Sequence, residues 1–94
     1  MGDRMKTELY EHLALSFYTE GHRHHKQLLD GLMEEAKEVL SANSNKKLAD
    51  ELGDVLWYVT IIAYQAGYSL EDLMMKNYNK LERRQLNGKE TKNA

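Results

Sequence analysis

The sequence predicts an all-α fold, a four-helix bundle completed by homo-oligomerisation. It contains no proline, and its glycines stand largely at predicted helix boundaries. No stretch of any length alternates apolar and polar residues as a half-buried strand would, whereas apolar residues recur three and four positions apart. A chain of 94 residues forms one small domain with a thin core. We expect residues 1–84 to form that domain and residues 85–94 to be a polar, frayed tail.

The first two helices are predicted from their apolar faces. The first is expected from about Arg4 to Thr19, with Gly21 placed to form a left-handed C-terminal cap. The second is expected from about His22 to Ser41 and ends in the polar turn SANSN. The apolar residues that share its face are Leu28, Leu29, Leu32, Met33, Ala36, Val39 and Leu40.

The third and fourth helices are predicted from different signals. The third is expected from about Lys46 to Ala66, and its segment VLWYVTIIAY is apolar around nearly the whole circumference. Such a helix is buried on most sides, which one small chain could hardly achieve, so we expect a homodimer or a dimer of dimers. Ser69 and Asp72 form a capping box that begins the fourth helix, which is expected to reach about Arg84.

Composition excludes several classes of function. The formal net charge is −2 and both signs are spread along the chain, so no basic surface for nucleic acid is expected. The longest nearly uncharged run, VLWYVTIIAYQAGYSL, is too short and too polar to span a membrane. The chain has no cysteine, which excludes disulfides and thiolate metal sites, and the start MGDRMK lacks an apolar signal region. We therefore expect a cytoplasmic protein.

Two acidic pairs lie on the second and third helices. Glu35 and Glu38 are one helical turn apart, Glu34 lies four residues before Glu38, and Glu51 and Asp54 in ELGD are again one turn apart. Antiparallel packing of consecutive helices would bring the two pairs together. The carboxylates would then repel one another, and a divalent cation would offset this repulsion. An all-oxygen ligand set favours Mg²⁺, with Mn²⁺ as a substitute, and Mg²⁺ commonly binds substrate phosphates. The alternative is a solvated acidic surface.

Three motifs in order resemble one family. The segment EEAKE followed by ELGD is similar to the paired acidic motifs of the MazG-like nucleoside triphosphate pyrophosphohydrolases, an all-α family. The segment KNYNKLERR resembles the signature on that family's last helix and supplies Asn77, Lys80 and Arg84. The resemblance covers about residues 28–84. The N-terminal segment LYEHLALSFYTEGHRHH matches no motif of the family.

The resemblance implies Mg²⁺-dependent hydrolysis of a nucleoside triphosphate between the α and β phosphates, in nucleotide-pool housecleaning. By analogy, the metal ligands would be Glu35, Glu38, Glu51 and Asp54. Glu34 and Glu38 would act on the attacking water, and Asn77, Lys80 and Arg84 would bind the β and γ phosphates. Trp57 and Tyr58, beside the second acidic pair, are typical of core residues, and stacking on the base is the alternative role for them. Tyr58 is the better candidate for that role because it continues the face of Glu51 and Asp54, and Tyr10, Phe17 and Tyr18 are comparable candidates that the sequence does not separate.

Two other functions are also consistent with the sequence. The chain also resembles phosphoribosyl-ATP pyrophosphohydrolase in its acidic pairs and its apolar third helix. From a different class, a non-catalytic helical oligomerisation or binding module would leave the acids solvated. The histidines His22, His24 and His25 lack a further ligand at zinc spacing, so a zinc site is not expected.

Overall fold

The computed structural model describes residues 5–21 and 25–87 and confirms the all-α prediction. Its four helices are α1 (Thr7–Gly21), α2 (His25–Ser41), α3 (Asn45–Gln65) and α4 (Leu70–Leu86), and the described residues contain no strand. Arg4, His22, His24 and the tail from residue 88 lie outside the described residues. Gly21 is itself the last residue of α1, so its prediction as a left-handed cap is wrong, and α4 extends two residues beyond the predicted Arg84.

Local side-chain chemistry fixes the helix ends that the sequence signalled. The Ser69 side chain accepts from the Asp72 backbone N–H at 3.0 Å and the Asp72 carboxylate accepts from the Ser69 N–H at 2.9 Å, which confirms the capping box. Ser44 caps α3 by accepting from the Lys47 N–H at 3.1 Å.

The C-terminal end of α3 is closed by Gly67, which has a positive φ of 89°. The Gly67 N–H donates to the Tyr64 carbonyl at 3.0 Å and the Tyr68 N–H donates to the Ala63 carbonyl at 2.8 Å. This pair of hydrogen bonds is the Schellman motif, in which a glycine relieves the steric cost of the left-handed residue. The chain can therefore reverse direction sharply between α3 and α4.

The helices pack as a hairpin with two additional elements. α2 and α3 are joined by residues 42–44, lie antiparallel and make the most extensive interhelical contact, whereas α1 packs against α3 and α4. Within the described residues α2 makes no contact with α4. The α2–α3 hairpin is thus the scaffold, and α1 and α4 cover only part of it.

The core is small. Ala14, Leu28 and Ile61 form its buried cluster, and half-buried apolar and aromatic residues from α1 and α3 surround them. Thr60 is also fully buried, and its hydroxyl donates to the Leu56 carbonyl at 2.8 Å, so this polar group is satisfied inside the core. The indole N–H of Trp57 donates to the Ala14 carbonyl at 3.2 Å and holds α1 against α3.

Large apolar side chains remain exposed on every helix. They include Phe17 on α1 at 68% exposure and Met33 on α2 at 61%, Leu52 on α3, and Leu56 and Tyr64 within the α3 segment 55–64 that is expected to be covered. One chain therefore does not bury α3 on most sides. None of the described helices combines the length and hydropathy needed to cross a membrane.

Gly31 on α2 provides the notch that receives the Tyr58 ring from α3. A Cβ added at Gly31 would overlap the ring and hydroxyl of Tyr58, whereas a Cβ added at Gly53 on α3 would meet no atom within 4 Å. Glycine is unfavourable inside a helix, so its presence at position 31 reflects this close approach.

Gly31→Ala is expected to lower the free energy of unfolding by about 1–3 kcal/mol, because the Tyr58 ring must move out of its notch. Gly53→Ala is the matched control and is expected to raise the unfolding free energy by about 0.5–1 kcal/mol through helix propensity. Urea denaturation at equal protein concentrations measures both. Equal stabilisation by the two substitutions would contradict the close packing of α2 on Tyr58.

Candidate metal centre

Three carboxylates converge on the α2–α3 hairpin. Glu35 lies seven residues before Ala42 and Glu51 lies seven residues after Ser44, so the two stand at similar heights on either side of the turn. Asp54 follows Glu51 by one helical turn on the same face of α3. One oxygen from each of these three carboxylates lies within 4.8 Å of the others, and such a group could hold a metal ion.

Glu35 occupies the most constrained position of the three. Its Oε1 atom is buried and accepts no hydrogen bond from any of the residues that the structure describes. Burial raises the pKa of the Glu35 carboxyl, and the negative charges of Asp54, Glu51 and Glu38 raise it further. An orphaned buried oxygen among like charges is costly unless a proton or a cation neutralises it.

Glu51 and Asp54 differ in their exposure. The Glu51 side chain is 12% exposed and has a partner in Lys47, whose Nζ lies 3.8 Å from its carboxylate. This contact is long and the lysine is largely exposed, so it compensates the cluster weakly. Asp54 is exposed and opens the cluster toward solvent. The site therefore has its less accessible side at Glu51 and Glu35 and its accessible side at Asp54.

The structure does not bring all the predicted acids into this group. Glu38 is exposed and outside the three-carboxylate group, although it lies near enough for its charge to act on Glu35. Glu34 is on the outer surface of α2, where a carboxylate oxygen lies 3.8 Å from the Lys37 Nζ. The metal-ligand and catalytic roles of these two residues stay predictions.

An aromatic cleft of about 440 Å³ adjoins the carboxylates. Its lining residues are Phe17, Glu35, Asp54, Trp57 and Tyr58. Trp57 and Tyr58 are in edge-to-face contact, with ring centroids 5.0 Å apart, and both are half-buried. The predicted base contact Tyr58 thus lies beside the carboxylates. Of the three candidate aromatic residues on α1, Phe17 lines the cleft.

Tyr10 and Tyr18 occupy other positions on α1. Burial raises the pKa of the Tyr10 phenol, a hydrogen bond with Thr60 opposes this, and the negative charge of Asp54 adds to the increase. Tyr10 therefore approaches Asp54 from the α1 side. The Tyr18 hydroxyl accepts a hydrogen bond from Gln65 at 3.0 Å, and Tyr18 is not among the residues that line the cleft.

The predicted phosphate-binding residues Asn77, Lys80 and Arg84 are exposed on α4. Because α4 does not contact α2 in the described residues, these side chains are on a different helix surface from Glu35. Of the histidines, His25 lies with its Nδ1 atom 2.7 Å from the Gln65 side-chain oxygen. Sequence reasoning missed Gln65 and Gly31. A glycine inside an otherwise regular helix was the available signal for Gly31.

Comparison with known proteins adds an independent observation. Residues 23–88, more than half of the chain, match the family described as the MazG nucleotide pyrophosphohydrolase domain. No curated protein and no solved structure matches the chain. The matched region contains α2, α3 and α4 with all three carboxylates, whereas α1 precedes it. The family expected from the acidic motifs is therefore confirmed.

Glu35→Gln is expected to stabilise the metal-free protein at neutral pH. The folded state raises the pKa of Glu35, so the penalty of its ionised form is fully present above the folded pKa and disappears as the pH falls below the unfolded value. The stabilisation should therefore shrink toward about pH 4. Thermal unfolding in the presence of a chelator measures this effect.

Glu34→Gln is the matched control, because Glu34 is exposed and paired with Lys37. It is expected to change stability by less than about 0.5 kcal/mol at either pH. A loss of stability in Glu35→Gln at neutral pH would contradict the repulsion among the three carboxylates.

Proposed function

The chain belongs to the MazG nucleotide pyrophosphohydrolase family, and from this membership we propose that it hydrolyses nucleoside or deoxynucleoside triphosphates between the α and β phosphates. The products are a nucleoside monophosphate and pyrophosphate. The observation that carries the proposal is the convergence of Glu35, Glu51 and Asp54 beside an aromatic cleft. A cytoplasmic role in clearing unwanted nucleotides is part of the same proposal.

The donor set fits a hard divalent cation. It consists of carboxylate oxygens, and among the described residues no group donates a hydrogen bond to the buried Oε1 of Glu35, which leaves that oxygen available as a ligand atom. Glu35, Glu51 and Asp54 would hold Mg²⁺, with Mn²⁺ as a substitute and Glu38 as the further proposed ligand. When bound, such an ion neutralises phosphate charge and lowers the pKa of water.

The glutamates of α2 are proposed to handle the proton of the attacking water. Water adds to the α phosphorus, the bond from that phosphorus to the bridging oxygen breaks, and pyrophosphate leaves with the bond's electron pair. A carboxylate takes the proton lost by the water. The charge effect of Glu38 on Glu35 supports Glu38 in this role more directly than Glu34, which pairs with Lys37 on the outer surface.

The aromatic cleft is proposed to receive the base. Tyr58 is held on one side by the notch at Gly31 and on the other by the edge-to-face contact with Trp57. Rings held in this way provide a preorganised surface at low entropic cost. Phe17, on the opposite helix, completes the lining. Because the carboxylates and the rings share one cleft, phosphates and base could bind side by side.

Asn77, Lys80 and Arg84 are proposed to bind the β and γ phosphates and to stabilise the leaving pyrophosphate. Lysine and arginine suit this role as donors to phosphate oxygens. Lys80 and Arg84 are four positions apart on α4 and therefore share one helix face. Since the described residues of α4 and α2 are not in contact, this role requires the substrate to bridge the two helices or α4 to come from a second copy.

We further propose that the chain associates with itself through the α2–α3 hairpin. Leu29 and Met33 are exposed one turn apart on α2, and Leu52 and Leu56 are exposed one turn apart on α3. Five hydrophobic side chains are buried among the described residues, which is a small core for a stable domain. A second copy on these stripes would bury the segment that one chain leaves exposed, giving a dimer or a dimer of dimers.

The activity is tested by measuring pyrophosphate release from all ribo- and deoxynucleoside triphosphates and from phosphoribosyl-ATP, with and without Mg²⁺. We expect turnover that requires the metal and falls at least about a hundredfold in Glu51→Gln, because the variant loses charge at the site. Asp50→Asn removes the same charge from the neighbouring exposed position on α3 and is expected to retain wild-type activity.

Metal binding has a readout that is independent of turnover. Millimolar Mg²⁺ is expected to raise the melting temperature of the wild type and of Asp50→Asn, but not of Glu51→Gln. Absence of both turnover and metal stabilisation would favour the non-catalytic helical module instead.

Self-association is tested by sedimentation equilibrium. The wild type is expected to sediment with a mass of two or four chains of 10.9 kDa. Leu56→Lys places a charge on the exposed stripe and is expected to shift the population toward monomer, whereas Leu86→Lys, at the 79% exposed end of α4, is expected to leave the mass unchanged. A monomeric wild type at micromolar concentration would contradict the proposed interface.

A further inference from the structure

α1 precedes the region that matches the family, yet it lines the cleft through Phe17. Polar side-chain contacts attach it to the family domain. The Trp57 indole N–H donates to the Ala14 carbonyl at 3.2 Å, and the Glu11 carboxylate accepts from the Leu70 N–H at 3.0 Å. A further contact, made by Gln65, differs from these because its amide group reaches two helices at once.

Gln65 is the last residue of α3 and is half-buried. Its Nε2 atom donates to the Tyr18 hydroxyl of α1 at 3.0 Å. Its Oε1 atom lies 2.7 Å from Nδ1 of His25, the first residue of α2. Because an amide oxygen only accepts, His25 donates from Nδ1, so its neutral form here is the Nδ1–H tautomer. One side chain thus joins the ends of three helices.

The two helices joined through Gln65 each contribute a residue to the lining of the cleft. α1 carries Phe17, which immediately precedes Tyr18, and α2 carries Glu35. In the described residues α1 packs on α3 and α4 rather than along α2. The hydrogen bonds of Gln65 with Tyr18 and His25 are therefore placed to set the distance between Phe17 on α1 and Glu35 on α2.

We propose that Gln65 is a positioning residue for substrate binding, holding α1 so that Phe17 faces the carboxylates across the cleft. The expected effect on KM rests on the proposed function, because it requires a nucleotide that the protein hydrolyses. Gln65 does not touch the reacting atoms. It acts by limiting the cleft to a width that fits a planar base, which is a preorganisation effect on binding rather than on the chemical step.

The kinetic test compares Gln65→Leu, Tyr18→Phe and the matched control Gln85→Leu, an exposed glutamine on α4. Gln65→Leu is expected to raise KM for the best nucleotide roughly fivefold, the equivalent of about one lost hydrogen bond, with kcat unchanged. Tyr18→Phe should change KM in the same direction, and Gln85→Leu should change neither constant. A fall in melting temperature with an unchanged KM would show that Gln65 has only a structural role and would overturn the proposal.

A second readout does not depend on catalysis. The chain has one phenylalanine and no cysteine, so ¹⁹F-phenylalanine reports on Phe17 alone and Glu38→Cys accepts a single nitroxide label on α2. The label is expected to broaden the ¹⁹F signal, and Gln65→Leu in the same background is expected to reduce the broadening. Nitrogen chemical shifts of His25 should show the Nδ1–H tautomer in the wild type and its loss in Gln65→Leu.

The two readouts separate the possible failures. If no phosphate substrate is hydrolysed but the ¹⁹F broadening depends on Gln65, the proposed function fails and the positioning role stands. Unchanged broadening in Gln65→Leu would overturn the positioning role, whatever the enzyme's activity.

Discussion

Repulsion among Glu35, Glu51 and Asp54 is the constraint on which the rest of the structure depends. Three carboxylate oxygens within 4.8 Å of one another oppose folding unless something neutralises them, and in the described part of the chain no group donates a hydrogen bond to the buried Oε1 of Glu35. The antiparallel α2–α3 hairpin supplies the framework that holds them together. The two ends of α3 are fixed by the Ser44 cap and by the Schellman motif at Gly67. The proposed cation would neutralise this arrangement, which the small apolar core does not do.

The apolar interior is correspondingly modest, and polar contacts between helices supplement it. Trp57, Gln65 and Glu11 each form a hydrogen bond that ties α1 to α3 or α4. These bonds lie at helix ends or beside the core, where each fixes an orientation more than it contributes to stability. The exposed stripes on the hairpin are the surface through which we propose that a second copy completes the packing.

Sequence reasoning succeeded where the signal is local. The Ser69 and Asp72 capping box, the all-α class and the convergence of Glu35 with Glu51 and Asp54 all follow from spacing within one or two helices. It was less informative where the answer depends on how helices meet. A glycine inside a helix draws attention to Gly31, but the order of residues does not indicate that Tyr58 is the side chain packed against it, or that Gln65 faces Tyr18 and His25. The same limit applied to α1, where three aromatic residues were equivalent until packing placed Phe17 in the cleft. Glu34, Glu35 and Glu38 illustrate both cases, because helical periodicity spaces them but only packing decides which of them is buried.

The central claim is that the three carboxylates bind a divalent cation. The most direct test is an anomalous diffraction map of crystals grown with Mn²⁺ and a non-hydrolysable nucleoside triphosphate analogue. We expect an anomalous peak for a manganese ion coordinated by oxygens of Glu35, Glu51 and Asp54. The analogue's phosphates are expected to complete the ligand shell, and its base is expected to lie in the aromatic cleft. An occupied nucleotide with no peak between these carboxylates, or with the manganese bound elsewhere, would contradict it.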